Sequence, residues 1–265
     1  MLRILTAVLA LTTAAAHAET PPGARYVAMG SSFAAGPGIA PYEAGAPARC
    51  ARSARNYAHQ LAEKRGLSLV DVSCSAATTA AILKPWGELP AQIDAVTPET
   101  RLVTLTIGGN DIGYIGGLLG ASCRTRGESG CQAETTPTEA DYAALRETMM
   151  SVADAIRSRA PKAEIVFVEY PAVLPPTGVC ASTPLSDTAA EAGRAKAARL
   201  VAITREAAHA SEATVITTSS FSQGHDACAA DPWMNGYPAP GAAPYHPNLA
   251  AMTAIAEALD MTLPR

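Results

Sequence analysis

The sequence predicts a three-layer α/β/α sandwich built on a flavodoxin-like parallel sheet of five strands. Short apolar runs rich in β-branched residues recur along the chain, and helical patterns separate several of them. Small polar residues follow where several of these runs end. Strands that alternate with helices form parallel sheets through right-handed crossovers, and the strand order that we predict is 2-1-3-4-5.

Apolar runs define the strands, and capping and periodicity define the helices. The predicted strands cover residues 26–29, 67–73, 101–107, 163–170 and 213–217. Helices are predicted at 56–64, which ends before Gly66, at 186–209, and from Pro247 onward. A further helix follows Thr138, because Asp141 lies three residues on and apolar residues then recur with helical spacing. Residues 113–137 are predicted to be irregular.

The first 18 residues have the pattern of a secretory signal peptide, and residues 19–265 are predicted to form a single domain. Arg3 supplies the positive charge, residues 4–16 are apolar, and Ala16-His17-Ala18 is a cleavage pattern. The apolar run is shorter than the roughly 20 residues of a membrane-spanning helix, and no later segment qualifies. We therefore expect a secreted or periplasmic protein without a transmembrane segment.

All six cysteines lie after the signal peptide, which predicts disulfides. The sequence does not fix the pairing, and we favour pairing between neighbours: Cys50–Cys74, Cys123–Cys131 and Cys180–Cys228. The cysteine and histidine spacings are irregular and lack a C-x-x-C pair, so we expect no metal and no cofactor. The net charge of −4, with no basic block, argues against nucleic acid as a partner.

Polar groups follow several of the predicted strands, where parallel sheets place their active sites. These groups are Gly30-Ser31-Ser32, Ser75-Ala76, Gly109-Asn110 and, at the end of a long loop, His246. Together they offer a hydroxyl, a backbone N–H in a small-residue turn, a carboxamide and an imidazole. Acyl transfer requires a nucleophile, a base and donors for an oxyanion, and this set can supply all three.

Two residues compete for these roles. Ser31 is adjacent to Ser32, but neighbouring side chains leave a strand on opposite sides, so we expect only one of the two serines to face the site. The family motif given below favours Ser32 as the nucleophile. His225 precedes Asp226 and is the rival base. Adjacent residues rarely face each other, so we prefer His246.

Four blocks carry a resemblance to a known family: GSSFAAGPG at 30–38, DVSCSAATT at 71–79, TIGGND at 106–111 and YHPN at 245–248. With these blocks the chain resembles the SGNH (GDSL-type) hydrolases, close to the secreted actinomycete esterases and lipases. The resemblance extends from about residue 25 to 259, and six cysteines in this arrangement are typical of that branch.

The resemblance implies a role for each candidate residue. Ser32 matches the nucleophile, and its N–H matches an oxyanion donor. Ala76 stands where the family has glycine and still offers an N–H, Asn110 matches the side-chain oxyanion donor, and His246 matches the general base.

The chain departs from the motif at two further positions. Ser31 replaces the aspartate of Gly-Asp-Ser, and Ala243 replaces the aspartate three residues before the histidine. We predict that the Ala243 carbonyl accepts the Nδ1 proton of His246. We also predict that a helix starting at Pro247 lowers the pKa of His246 through its dipole.

The resemblance and the residues together predict a monomeric, secreted serine hydrolase that cleaves small-molecule or lipid carboxylic esters through an acyl-enzyme. An acyltransferase that uses the same acyl-enzyme is one alternative. A non-catalytic binding protein on an inherited hydrolase scaffold is another, because a scaffold can persist without its chemistry.

Overall fold

The computed structural model describes residues 20–264, and the predicted signal peptide at 1–18 lies outside this range. A parallel sheet of five strands forms the centre of the described chain, in the order β2-β1-β3-β4-β5 that the sequence predicts. The strands are β1 (Arg25–Gly30), β2 (Ser68–Asp71), β3 (Thr100–Thr106), β4 (Glu164–Val168) and β5 (Thr214–Ile216).

Helices occupy the connections between the strands and the segment after β5. They are α1 (Ser32–Ala35), α2 (Tyr57–Arg65), α3 (Thr79–Leu83), α4 (Tyr114–Thr125), α5 (Glu139–Arg159), α6 (Asp187–Ala210), α7 (Thr218–Phe221) and α8 (Leu249–Thr262). No helix within residues 20–264 combines the length and the hydropathy needed to cross a membrane.

The sheet separates two hydrophobic cores, because alternate residues of each strand face opposite layers. On β1, Val27 and Met29 pack with helices α3, α4, α5 and α6, whereas Tyr26 and Ala28 pack with α2 and α8. Side chains that are almost fully buried line both faces, so the central strands are apolar on both sides. This pattern is typical of a three-layer α/β/α sandwich.

Capping residues set the helix ends close to their predicted positions. Asn56 caps α2 by accepting a hydrogen bond from His59 N, and Gly66 ends that helix in the left-handed conformation. The predicted capping box between Thr138 and Asp141 is confirmed at the start of α5. Helix α8 begins at Leu249 with Asn248 as its cap, so the prediction of a start at Pro247 is wrong by two residues.

The prediction that residues 113–137 are irregular is wrong for the first half of the segment, which forms α4. Its glycines have a low helix propensity. The helix is stabilised instead by Ile115 and Leu118, which are buried in the core against α6. At Gly120, a Cβ atom would come within 2.3 Å of the Gln132 carbonyl oxygen. Glycine there lets the chain after α4 fold back closely onto the helix.

The three disulfides follow the predicted neighbour pairing: Cys50–Cys74, Cys123–Cys131 and Cys180–Cys228. Cys50–Cys74 joins the loop after α1 to the segment that leaves β2. Ser75 strengthens that link, because its N–H and its hydroxyl both donate to the Cys50 carbonyl, at 3.2 and 2.7 Å. The segment that carries Ala76 is therefore anchored immediately before it.

Candidate active site

The chain turns sharply between β1 and α1, and Gly30 makes this turn possible. Its φ is +133°, and a Cβ atom there would lie 2.4 Å from the Thr106 carbonyl oxygen. Ser31 N donates to the same carbonyl at 2.9 Å. The end of β1 is therefore held against the end of β3, and Ser32 begins α1 at the carboxyl edge of the sheet.

Ser32 and His246 are brought together at this edge, although 214 positions separate them in the chain. His246 Nε2 lies 2.8 Å from Ser32 Oγ. His246 Nδ1 lies 2.8 Å from the Pro244 carbonyl oxygen. A carbonyl only accepts, so Nδ1 carries the proton and Nε2 presents a lone pair to the serine hydroxyl.

The residue whose carbonyl orients the imidazole is Pro244, so the prediction of Ala243 is wrong by one position. The Ala243 carbonyl instead accepts hydrogen bonds from Asn235 Nδ2 at 3.1 Å and from His246 N at 3.3 Å. Tyr245 adopts a left-handed conformation with φ of +57°, between Pro244 and His246. The left-handed residue reverses the backbone, and the preceding carbonyl faces the ring of the residue that follows.

Tyr245 is held in this unusual conformation by contacts with α4 and with its own loop. Its side chain is fully buried, and its hydroxyl lies 2.6 Å from Ser122 Oγ on α4. Its ring stacks on Tyr237, whose hydroxyl donates to Glu128 at 2.6 Å. No local pattern in the sequence predicts this support, and the two tyrosines of the long loop before His246 are the only signal of it in that loop.

Burial sets the protonation of His246. The ring is almost completely enclosed, and the loss of hydration lowers the pKa of His246 because it disfavours the imidazolium. The hydrogen bond to the Pro244 carbonyl opposes this effect and is the smaller cause. The direction agrees with the prediction, with burial rather than a helix dipole as its principal cause.

The backbone N–H groups of Ser32 and Ala76 donate no hydrogen bond within residues 20–264. Ala76 has a left-handed φ of +67° and an exposed methyl group, which explains why glycine would suit this position. Asn110 donates from Nδ2 to the Ala77 carbonyl at 2.8 Å. This bond orients the carboxamide and uses one of the two N–H bonds of its amino group.

Asp111 connects the loop that carries Asn110 with the loop that carries Ala76. Its carboxylate accepts from Thr79 N at 3.1 Å and from Thr79 Oγ1 at 2.5 Å. Burial raises the pKa of Asp111, and the hydrogen bonds from Thr79 partly offset that rise. The bonds to Thr79 give Asp111 a structural role in joining the two loops.

Ser31 and His225, the rival candidates for nucleophile and base, are bonded to other groups. The Ser31 hydroxyl lies 2.9 Å from Tyr170 Oη and is fully buried, whereas Ser32 is the serine that meets the imidazole. His225 Nδ1 donates to the Asp231 carbonyl at 2.8 Å, and its ring stacks on Trp233 with centroids 4.0 Å apart. Within residues 20–264, neither Ser31 nor His225 therefore takes part in the serine–histidine contact.

We expect Ala76→Gly to raise the free energy of unfolding by about 0.5–1 kcal/mol, because glycine removes the strain of the left-handed conformation at little loss of burial. Denaturant unfolding measures this change. Ala77→Gly is the matched control, since Ala77 is buried and has no positive φ, and it should destabilise the protein. Equal destabilisation by both variants would contradict the role given to the conformation of Ala76.

The fold and this edge of the sheet define a class of protein. A three-layer α/β/α sandwich with a serine–histidine pair beyond β1, and with an asparagine beyond β3, has the layout of the SGNH hydrolases.

Comparison with known proteins identifies the family. The sequence profile of the GDSL-like Lipase/Acylhydrolase family matches residues 28–254. Lipase 2 of Streptomyces coelicolor is 35% identical over 280 residues, which cover 95% of this chain and 91% of that protein. The chain belongs to the GDSL-like lipase/acylhydrolase family, and it is a carboxylic ester hydrolase.

Solved structures show the same relationship. The extracellular lipase from Streptomyces rimosus superposes with a TM-score of 0.72 at 29% identity, over 90% of this chain and 99% of that chain. Phospholipase A1 from Streptomyces albidoflavus superposes with a TM-score of 0.74 at 25% identity, again over 90% and 99% of the two chains.

Proposed function

We propose that this protein is a secreted serine esterase or lipase in which Ser32 is the nucleophile and His246 is the general base. The observation that carries the proposal is the continuous hydrogen-bond chain from Ser32 Oγ through His246 to the Pro244 carbonyl, with both distances at 2.8 Å. A histidine that donates from Nδ1 and accepts at Nε2 has the tautomer that a general base needs.

The proposed reaction begins with attack of Ser32 Oγ on the acyl carbon of the ester, while Nε2 of His246 takes the hydroxyl proton. The tetrahedral intermediate collapses when the C–O bond to the alcohol breaks, and the imidazolium returns the proton to the departing alkoxide. Water then attacks the acyl-enzyme with His246 again as the base. The products are the free acid, the alcohol and the regenerated serine.

The proposed oxyanion donors are the N–H groups of Ser32 and Ala76 and the Nδ2 group of Asn110. Two observations support this assignment: the backbone groups have no partner within the described residues, and the carboxamide is held by Ala77. Fixed donors stabilise the charge of the intermediate without having to reorganise during the reaction.

His246 is oriented by a neutral carbonyl in this proposal, and the pair is therefore a dyad. A carbonyl stabilises the imidazolium less than a carboxylate does, but it keeps the tautomer and the ring orientation. Because burial also disfavours the charged ring, the resting enzyme holds His246 as the free base at neutral pH.

We expect kcat/KM to stay level from alkaline pH down to near pH 6.5 and to fall only below that value. The sign follows from the lowered pKa of His246: the imidazole remains neutral, and able to accept the serine proton, at a pH where an ordinary histidine, with its pKa near 6.5, begins to charge. A pH profile with chromatographic product detection measures the midpoint, and circular dichroism over the same range controls for unfolding. A midpoint above about 6.5, or an optimum below about pH 5, would contradict this account.

Export from the cell is supported by the pattern of residues 1–18, by three disulfides, and by the extracellular lipase among the relatives. The relatives named lipase and phospholipase act on lipid esters, and we propose that acyl esters of this kind lie within the substrate range of this enzyme.

Release of p-nitrophenol from acetate, butyrate, octanoate and palmitate esters tests the proposed function. We expect turnover that EDTA leaves unchanged, and the ester series then measures the accepted acyl length. Added glycerol should yield mainly free acid, because water hydrolyses the acyl-enzyme. Mainly glyceride product would indicate an acyltransferase, and no turnover of any ester would favour a non-catalytic binding protein.

A further inference from the structure

Tyr170 follows β4 and lies between the two turns that carry the proposed nucleophile and the proposed oxyanion donor. Its side chain is buried, with 4% of the residue exposed. Its hydroxyl lies 2.9 Å from Ser31 Oγ, beside Ser32, and 3.1 Å from Gly109 N, beside Asn110. Two loops that must keep a fixed separation during catalysis therefore share one phenol oxygen.

The hydrogen bonds at this oxygen have a defined direction. Gly109 N–H can only donate, so Tyr170 Oη accepts from it. Ser31 Oγ donates to the Thr106 carbonyl at 3.4 Å, which leaves the serine oxygen to accept the phenol proton. Gly109 N, Tyr170 Oη and Ser31 Oγ each donate to the next group, and the last acceptor is the Thr106 carbonyl. This series of hydrogen bonds connects the Asn110 turn with the nucleophile turn and with the end of β3.

Packing holds the ring of Tyr170 in addition to the hydrogen bonds of its hydroxyl. The ring lies 4.4 Å from that of Phe33, and Phe33 lies 5.1 Å from the imidazole of His246, measured between centroids. At Gly109, a Cβ atom would come 2.7 Å from Tyr170 Oη. Glycine at 109 is therefore required for the close approach of the backbone to the phenol.

We propose that Tyr170 is a positioning residue for ester hydrolysis, whose hydroxyl sets the separation between the Ser32 nucleophile and the Asn110 oxyanion donor. The inference rests on the proposed function and adds a residue whose hydroxyl is bonded to neither the Ser32 hydroxyl nor His246. It also gives Ser31 a role, since the serine that replaces the motif's aspartate is the partner that receives the phenol proton.

Loss of the Tyr170 hydroxyl should weaken stabilisation of the transition state more than binding of the substrate. Displacement of a catalytic group by a fraction of an ångström weakens hydrogen bonds to the developing oxyanion and leaves ground-state binding largely intact. We expect Tyr170→Phe, which keeps the ring, to lower kcat about tenfold while KM changes by less than about twofold. Ser31→Ala removes the other end of the same bond and should act in the same way.

The matched control is Tyr26→Phe, which removes another buried tyrosine hydroxyl, bonded to Thr104 Oγ1 at 2.6 Å in the core that faces α2 and α8. The control should lower thermal stability and leave kcat unchanged. The double variant Ser31→Ala with Tyr170→Phe should lose no more kcat than the larger single effect, since both changes break one series of bonds.

Steady-state kinetics with wild type, the three single variants and the double variant, all on one p-nitrophenyl ester, decide the question. The role is supported if Tyr170→Phe and Ser31→Ala each lose about tenfold in kcat and the double variant loses no more than the larger of the two. Tyr26→Phe should show no loss of kcat. Unchanged kcat in Ser31→Ala, or equal kcat in Tyr170→Phe and Tyr26→Phe, overturns it while the hydrolase stands. A wild-type protein that turns over no ester overturns the proposed function itself and removes this role with it.

Discussion

His246→Ala and Ser32→Ala should each lower kcat by at least about 10³-fold, the largest effects that we expect from single substitutions in this chain. Without the imidazole, no group at the described site accepts the proton of Ser32 at 2.8 Å, and the hydroxyl remains a poor nucleophile. Without the hydroxyl, no acyl-enzyme can form. Initial rates with a p-nitrophenyl ester measure both losses.

The two substitutions should not add, because the serine and the histidine act as one unit. The double variant should retain the same residual rate as either single variant. Ser31→Ala is the comparison variant: it removes the neighbouring hydroxyl, which bonds to Tyr170 rather than to His246, and should lower kcat only about tenfold, through the loss of that bond. A greater loss in Ser31→Ala than in Ser32→Ala would contradict the assignment of the nucleophile.

Asn110→Ala should lower kcat by about 10²–10³-fold with little change in KM, the loss expected when one side-chain donor leaves an oxyanion hole. The donor acts on charge that develops only in the transition state, so substrate binding should remain. Steady-state kinetics separate the two parameters.

Asn110→Asp provides the companion variant, because aspartate keeps the shape of the side chain and replaces the amide donor with a negative charge. It should lose at least as much kcat as Asn110→Ala, and thermal melting should show that both variants are folded. A rise in KM at constant kcat in either variant would indicate ground-state binding and would contradict the role of an oxyanion donor.

The parts of the fold that the sequence predicts are those governed by local patterns. Short apolar runs that end in small residues and are separated by helical patterns predict the parallel sheet, and the order of its strands is confirmed. Thr138 and Asp141 predict the start of α5 because the capping box is a contact between near neighbours. The helix α4 was missed because burial of Ile115 and Leu118, rather than local propensity, stabilises its glycine-rich sequence.

The parts of the site that were missed depend on contacts between distant residues. The carbonyl that orients His246 is that of Pro244 because Tyr245 is left-handed, and Tyr245 is bonded to Ser122, which lies 123 positions earlier. The contact between Ser31 and Tyr170 spans 139 positions. A motif matches residues one by one and carries no information about such partners.

Covalent labelling tests the central claim, that Ser32 is the nucleophile, most directly. The protein would be treated with an activated alkyl phosphonate, digested, and sequenced by tandem mass spectrometry, with Ser32→Ala treated in parallel. We expect one adduct per chain, located on Ser32, and none in the variant. An adduct on Ser31, or equal labelling of Ser32→Ala, would contradict the account.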